Sequence, residues 1–361
     1  MIQQLREWLE VRIGLNEIIR SQLTEYRIPK NLNLVYTLGM VAFAAFILQV
    51  ITGILLLMFY IPQEDHAFQS IQIIMNQVPY GWLFRLMHVV GSNLMVAVVF
   101  LHMTSVFFLG SYKKPRELTW LVGALLLFTT LTFCLSGYLL QWSQLSYWAT
   151  TVVTNIPTAF PWVGEYICHL MRGSQNVSQE TLGRFFALHV GLLPLLLLGL
   201  FGVHAFLVRR IGISAPPGDG GGEEEWKQFR HVDYPDGPPF YPYFVSRELM
   251  MTIVYVIVMF CIIAWQPALF LPPDTAIPAD PLNTPLHIRP EWYFLAPYQM
   301  LKLVPNKFLG IALQLALVGV FVLWPFIDRF RQANILKRPL MLALFLATVA
   351  AWIGLSLWGA H

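Results

Sequence analysis

Two stretches decide how this chain folds: GWLFRLMHVVGSNLMVAVVFLHM, residues 81–103, and RFFALHVGLLPLLLLGLFGVHAFLVRR, residues 184–210. Each is apolar over more than the roughly 20 residues a helix needs to cross a hydrocarbon layer. Each also carries two histidines, His88 with His102 and His189 with His204. Further apolar runs at 33–60, 119–140, 248–270, 307–327 and 339–358 join 82–110 and 184–208 to make seven predicted spans. The expected fold is therefore an all-α membrane protein. Its first four spans form a four-helix bundle, and an amphipathic segment at 1–30 lies on the membrane surface.

Composition agrees. The 361 residues are 57% hydrophobic and 12% charged, with a mean hydropathy of +0.59, whereas soluble domains carry about 25% charged residues. The net charge of +3 gathers at span ends rather than on one face, so no nucleic-acid partner is expected. Cys134, Cys168 and Cys261 are scattered and form no CxxC or CxxCH pattern, which excludes a disulfide framework, a cysteine zinc site and covalent attachment of a c-type haem through that motif. The stretch 211–245 is rich in Gly and Pro, contains the acidic run 223–225, and reads as a polar linker. It divides a front part, 31–210, from a rear part, 246–361.

Lys and Arg placement orients the spans. Lys113, Lys114, Arg116, Arg209, Arg210, Arg329, Arg331, Lys337 and Arg338 fall on one side, here called negative. The segments 61–80, 141–183 and 271–305 fall on the other, positive, side. The second and fourth spans then run in the same direction, and their histidine pairs, 14 and 15 residues apart, lie at matching depths. At about 1.5 Å rise per residue the two depths are roughly 21 Å apart. His88 can face His189, and His102 can face His204. Two bis-imidazole pairs are what two stacked haems between facing helices require. A lone histidine on a soluble helix is usually a satisfied core residue, but unpaired polar groups are costly in a bilayer and matched pairs favour ligation. His66, His169, His231, His287 and His361 fall in loops or at the terminus and have no expected ligand role. Gly39, Gly53, Gly91, Gly123 and Gly137 are placed to let haem rings approach helix backbones, ordinary helix packing being the competing explanation. Arg85 and Arg184, just before the positive-side histidines, are candidates for haem propionates.

Taken with KKPRELTW (113–120), GYLLQWSQLSYWATTVVTNIP (137–157), RGSQNVSQETLGRFFALH (172–189), VRRIGIS (208–214), RPEWYFL (289–295) and VPNKFLG (304–310), the sequence resembles the cytochrome b/b6 family over nearly its whole length. The details resemble the plastid and cyanobacterial branch, with two halves that are separate chains there fused here, and without an eighth helix. The resemblance implies the cytochrome b subunit of a quinol–cytochrome c (or plastocyanin) oxidoreductase in an energy-transducing membrane such as a bacterial inner membrane. It implies two non-covalent b haems, quinol oxidation near the lower-potential haem held by His88 and His189, electron transfer to the haem held by His102 and His204, and quinone reduction on the negative side. The implied partners are a Rieske iron–sulfur protein, a c-type cytochrome subunit, membrane lipid and a second copy of the complex. Glu291 is the implied proton acceptor, with Tyr293 and Tyr147 lining the quinol pocket. Arg209, Arg247 and Glu248 fall where the family handles quinone and propionates. Three departures stand out: Gln141 replaces a proline, Ser105 replaces a propionate arginine, and Thr37 stands where one branch attaches a covalent haem, so no covalent c-type haem is expected. Two other classes share some of these features. A di-haem anchor of a hydrogenase or formate dehydrogenase would not need the rear spans, and a proton-coupled transporter would bind no haem.

Overall fold

The computed structural model describes residues 1–217, 229–285 and 288–360; the acidic run 223–225, His287 and His361 lie outside the described residues. Among the described residues the backbone is helical, with only isolated bridges at Arg27–Pro239 and Ser143–Pro278. Helix α1 (Ile2–Ile13) buries none of its residues and ends at Gly14, whose φ of 60° suits a left-handed helix stop. Ile2, Leu5 and Trp8 are all exposed, as a surface helix facing lipid requires.

Among the described residues six helices are long and apolar enough to cross a membrane: Leu34–Leu57, Gly81–Phe108, Glu117–Leu139, Gln179–Ile211, Phe240–Trp265 and Pro339–Gly359. The chain is an integral, multi-pass membrane protein. We call the regular parts of the first two α2 (Leu38–Leu57) and α3 (Gly81–Phe108). The third is α4 (Glu117–Leu139), followed on the positive side by the short helices α5 (Gln144–Asn155) and α6 (Gly164–Arg172). Then come α7 (Gln179–Ile211), α8 (Val245–Trp265) and the short α9 (Leu295–Leu303). The last two are α10 (Lys307–Val322) and α11 (Pro339–Gly359). The expected seventh span corresponds to α10, which has only 16 residues. At about 1.5 Å per residue it covers about 24 Å, short of a roughly 30 Å hydrocarbon layer. A break at Leu323 and a further turn, Trp324–Ile327, complete the crossing. Pro325 has no N–H to continue the ladder across that break.

Helix α2 packs along α3, and α4 along α7, closing the front bundle; α8 packs against α2 and α3. An apolar layer of Val41, Ala45, Phe46, Met95, Leu197 and Tyr255, joined by Leu126 and Phe133, fills the middle of the bundle. In each helix these residues fall between the early and the late histidine level. The Tyr255 hydroxyl, which would otherwise be unsatisfied there, bonds the Gly91 carbonyl at 2.9 Å.

Hydrogen bonds confirm which loops share a side. The Gln144 N–H donates to the Ile277 carbonyl at 2.8 Å, the Ala279 N–H to Trp142 at 3.1 Å, and the Tyr60 hydroxyl to Leu140 at 2.8 Å. The three loops assigned to the positive side therefore meet. On the other side Arg116 donates to the Gly212 carbonyl. There, too, a buried ionic clamp ties the front to the rear. Asp328, its side chain fully buried, receives Tyr112 Oη at 2.5 Å, Lys113 Nζ at 3.0 Å and Arg338 at 2.6 and 2.8 Å. Burial alone would raise the Asp328 carboxyl, but the bonds from Arg338, Tyr112 and Lys113 outweigh it and hold the group at about 2.

A carboxyl lowered on folding lends stability above its ordinary value of 3.8, and that stability is lost as pH falls through about 2. D328N leaves two buried cations short of a counter-charge, so it is expected to cost on the order of 3–5 kcal/mol. Thermal unfolding of the detergent-solubilised protein reads this out, and an unshifted melting temperature would show that the clamp does not hold the halves together.

Candidate haem and quinol sites

His88 and His189 face each other as expected, with ring centroids 6.3 Å apart and planes at 73°. Metal–imidazole bonds of about 2.0 Å on either side of one ion, plus the two ring radii, produce a separation of this size. His189 sits in a π-helical turn, Leu188–Leu192, inside α7. Pro194 cannot donate the next i→i−4 bond, and the ladder widens just before it, a distortion common at functional sites.

Each of the four rings lies against a glycine. A Cβ on Gly53 would stand 3.3 Å from His88 Cε1, on Gly39 3.2 Å from His102, on Gly123 3.3 Å from His204, and on Gly137 2.5 Å from His189. Any larger residue would push the ring out of line. The glycines in each helix are 14 residues apart, matching the histidine levels. Gly91 differs from the other four. A Cβ there would meet the Gln49 amide of α2 and Met259 Sδ of α8, so it serves the packing of those helices rather than a histidine.

The second ring nitrogens are held unequally. Nδ1 of His88 lies 2.9 Å from Thr52 Oγ1, and Nδ1 of His189 lies 3.1 Å from Ser136 Oγ. Nδ1 of His102 is buried with no hydrogen-bond partner, and His204 meets only the Thr119 backbone carbonyl, with no hydroxyl beside it. His102 and His204 open into a cavity of about 380 Å³ lined also by Gly39, Gly123, Arg116 and Arg209 and reaching Tyr26 and Glu248. Cavities of about 300–1,000 Å³ hold cofactor-sized ligands. Among the described residues no three His, Cys, Asp or Glu side chains are grouped to hold a metal ion. Two facing imidazoles therefore fit a metal whose remaining ligands come from a porphyrin.

The arginines separate by what they already bond. Arg85 makes no hydrogen bond to a described residue and is half-buried near His88, free for a propionate. Arg184 donates to the carbonyls of His169 and Leu170, capping the C-terminal end of α6. On the negative side Arg209 stacks on Tyr26, 3.4 Å from its centroid, and bonds Gln22, while lining the cavity. Arg247 donates to the Leu32 carbonyl and to Tyr243, tying α8 to the N-terminal segment. Glu248 lines the cavity. Arg116, not singled out from the sequence, is the other guanidinium there. Ser105 donates to the His102 carbonyl at 2.8 Å, and Thr37 donates to Leu34 at 2.7 Å.

On the positive side the PEWY loop leans on the front bundle. Trp292 Nε1 donates to Asn93 Oδ1, a buried side chain on α3, at 2.9 Å. This places Glu291 beside the end of α4. Burial raises the Glu291 carboxyl to about 7, against the pull of the Tyr138 hydroxyl, which bonds its ionised form. Tyr138 escaped the sequence reading, although it directly follows Gly137 with its polar tip at a span end. Tyr293 is buried, and its hydroxyl is pushed well up, chiefly by desolvation. Tyr147 is buried between Trp142 and Trp148 and donates to the Val177 carbonyl at 3.2 Å. Where a proline was expected, Gln141 has a buried Oε1 without a partner. The turn is made instead by Trp142 at a φ of 47°, a left-handed conformation that non-glycine residues rarely adopt.

A membrane bundle with paired histidines at two depths defines a membrane-embedded haem protein. Residues 23–212 match the family described as Cytochrome b/b6/petB, and residues 278–361 that described as Cytochrome b(C-terminal)/b6/petD. The cytochrome b of Rickettsia conorii is 38% identical over 335 residues, covering 92% of this chain and 81% of that protein. That of Allochromatium vinosum is 37% identical over 333 residues, covering 89% and 80%. A solved structure titled "Hyperthermophilic respiratory Complex III" superposes with a TM-score of 0.90 at 38% identity, covering 98% of this chain and 91% of its own. The chain belongs to the cytochrome b/b6 family.

The tight approach at Gly137 makes G137V a selective lesion. The variant is expected to bind less haem than the wild type, read as haem per chain after extraction. Full occupancy would show that the ring of His189 does not depend on that glycine.

Proposed function

We propose that quinol is oxidised in the pocket beside Glu291, and that His88 with His189 and His102 with His204 hold two non-covalent b haems. The chain is the cytochrome b subunit of a quinol–cytochrome c oxidoreductase and works as part of a membrane complex. When bound, the haems supply one-electron transfer from the positive to the negative side of the membrane.

The chain's own residues do the rest. Four imidazoles offer Nε2 lone pairs at two depths, and the apolar layer between them excludes water and protons from the path. Arg85 on one side, and Arg116 and Arg209 on the other, are placed to hold propionates. The observation that carries quinol oxidation is the state of Glu291. A half-buried carboxyl at about 7 is divided evenly between acid and base at neutral pH, which is what a general base for a quinol hydroxyl needs. Tyr138 orients it, and Tyr293 and Tyr147 shape the pocket wall. On the negative side, Glu248 and Arg209 line the cavity where a quinone would be reduced. Residues 31–210 form the haem-binding unit and 246–361 the unit that carries the quinol loop, joined by 211–245. A Rieske iron–sulfur protein, a c-type cytochrome and a second copy of the complex are the partners this reading requires.

The carboxylate is the form that accepts the proton. Quinol oxidation is therefore expected to rise with pH through about 7 and to flatten above it. E291Q removes the base and that inflection, and is expected to slow turnover roughly 10²–10⁴-fold with both haems still bound. The assay is stopped-flow quinol oxidation beside a reduced-minus-oxidised optical spectrum. Wild-type turnover in E291Q would remove Glu291 from the mechanism, and absence of a b-type α band in the wild type would overturn the haem reading.

A further inference from the structure

We propose that Thr52 and Ser136 make the two positive-side histidines stronger donors to iron than the negative-side pair, and so hold the haem between them at the lower potential. The proposal rests on the histidine pairing above and deepens it.

A ring that gives its Nε2 lone pair to iron carries its proton on Nδ1. Thr52 Oγ1 has one hydrogen, and it points into its own helix, toward the Leu48 carbonyl at 2.9 Å and the Gln49 carbonyl at 3.2 Å. What Thr52 offers to His88 Nδ1, 2.9 Å away, is therefore a lone pair. Ser136 repeats the arrangement. Its hydroxyl hydrogen points to the Phe133 carbonyl at 3.1 Å, and its oxygen faces His189 Nδ1 at 3.1 Å. Each hydroxyl oxygen is thus placed to accept the Nδ1 proton of a ring that ligates through Nε2.

A ligating imidazole whose N–H is accepted by a fixed oxygen is the more basic ligand. Here the acceptor is itself polarised by donating onward to a helix carbonyl. A more basic pair favours the oxidised metal and lowers its potential. The negative-side rings meet no hydroxyl: Nδ1 of His102 has no partner, and His204 has only the Thr119 backbone carbonyl. The difference is written in the sequence next to the ring-contact glycines. Thr52–Gly53 and Ser136–Gly137 carry a hydroxyl before the glycine, whereas Leu38–Gly39 and Val122–Gly123 carry an aliphatic chain. One device makes room for all four rings, and the residue before it separates the two sites. The downhill direction from positive to negative side is then a property of two hydroxyls.

The test is a potentiometric titration of the b haems in the intact, membrane-extracted complex, with low-temperature EPR to assign the two components. T52V and S136A are each expected to move the lower midpoint positive and to leave the higher one in place, and T52S is expected to restore it. The reciprocal V122T, which adds a hydroxyl beside Gly123, is expected to move the higher midpoint negative. V122T is scored independently if T52V fails to assemble. Unmoved midpoints in T52V and S136A with both haems bound, or equal shifts in both components, would overturn the proposal while leaving the histidine pairing intact. A wild-type titration without two b-type components would overturn the pairing as well.

Discussion

An imidazole inside hydrocarbon is costly to leave unpaired, and it must be reachable by whatever it binds. Most of the front half follows from that constraint. Reach is provided by glycine, one against each ring, in α2 and α4. The α2 glycines are 14 residues apart, like the α3 histidines they serve, and the α4 glycines are 14 apart against 15 in α7, whose π-helical turn takes up the extra residue, so the four helices share one register. A slip of one residue would turn a glycine away by about 100° and put a side chain against a ring. The apolar layer between the levels then has a fixed thickness, set by the same register.

The rear half solves a different problem. Its helices carry few polar groups and would float in lipid without a fixed relation to the bundle. Polar contacts on opposite sides pin them. At the negative side Asp328 gathers Tyr112, Lys113 and Arg338 into one clamp. At the positive side Trp292 reaches Asn93, and Gln144 meets the segment before the PEWY loop through the Asp280 N–H at 2.7 Å. The quinol pocket therefore belongs to neither half alone. Its carboxyl comes from the rear and its neighbour Tyr138 from the end of α4.

Length, hydropathy and charge asymmetry made the spans and their direction legible, because a bilayer tolerates few alternatives. Histidine spacing made the pairing legible for the same reason. Hydropathy read 307–327 as one span but did not register the break at Leu323 that divides it into α10 and a further turn. The sequence pattern was less informative where a side chain has several partners to choose from. Gly91 looks like the other bundle glycines in sequence, yet it faces Gln49 and Met259, a matter of helix phase that only packing decides. Arg184 has the right distance from His189 for a propionate, but the open carbonyls ending α6 are closer to it. Tyr138, Thr52 and Ser136 are ordinary span residues in any compositional view. Their importance comes from standing within bonding distance of a charge or a ring on another helix.

The two buried acids show how partner count separates structure from chemistry. Asp328 and Glu291 both lie near the membrane surface, and burial alone would raise both. Asp328 is given three donors, stays near 2, and is ionised throughout the physiological range. Its charge is fixed, and it can serve only as an anchor. Glu291 is left with a single hydroxyl, which does not offset desolvation, so it rests near 7. A group so placed can take a proton and release it with little free energy either way. Adding a second donor to Glu291 would stabilise the loop and remove the base, because the same bond that orders a carboxylate lowers its affinity for the proton it must carry.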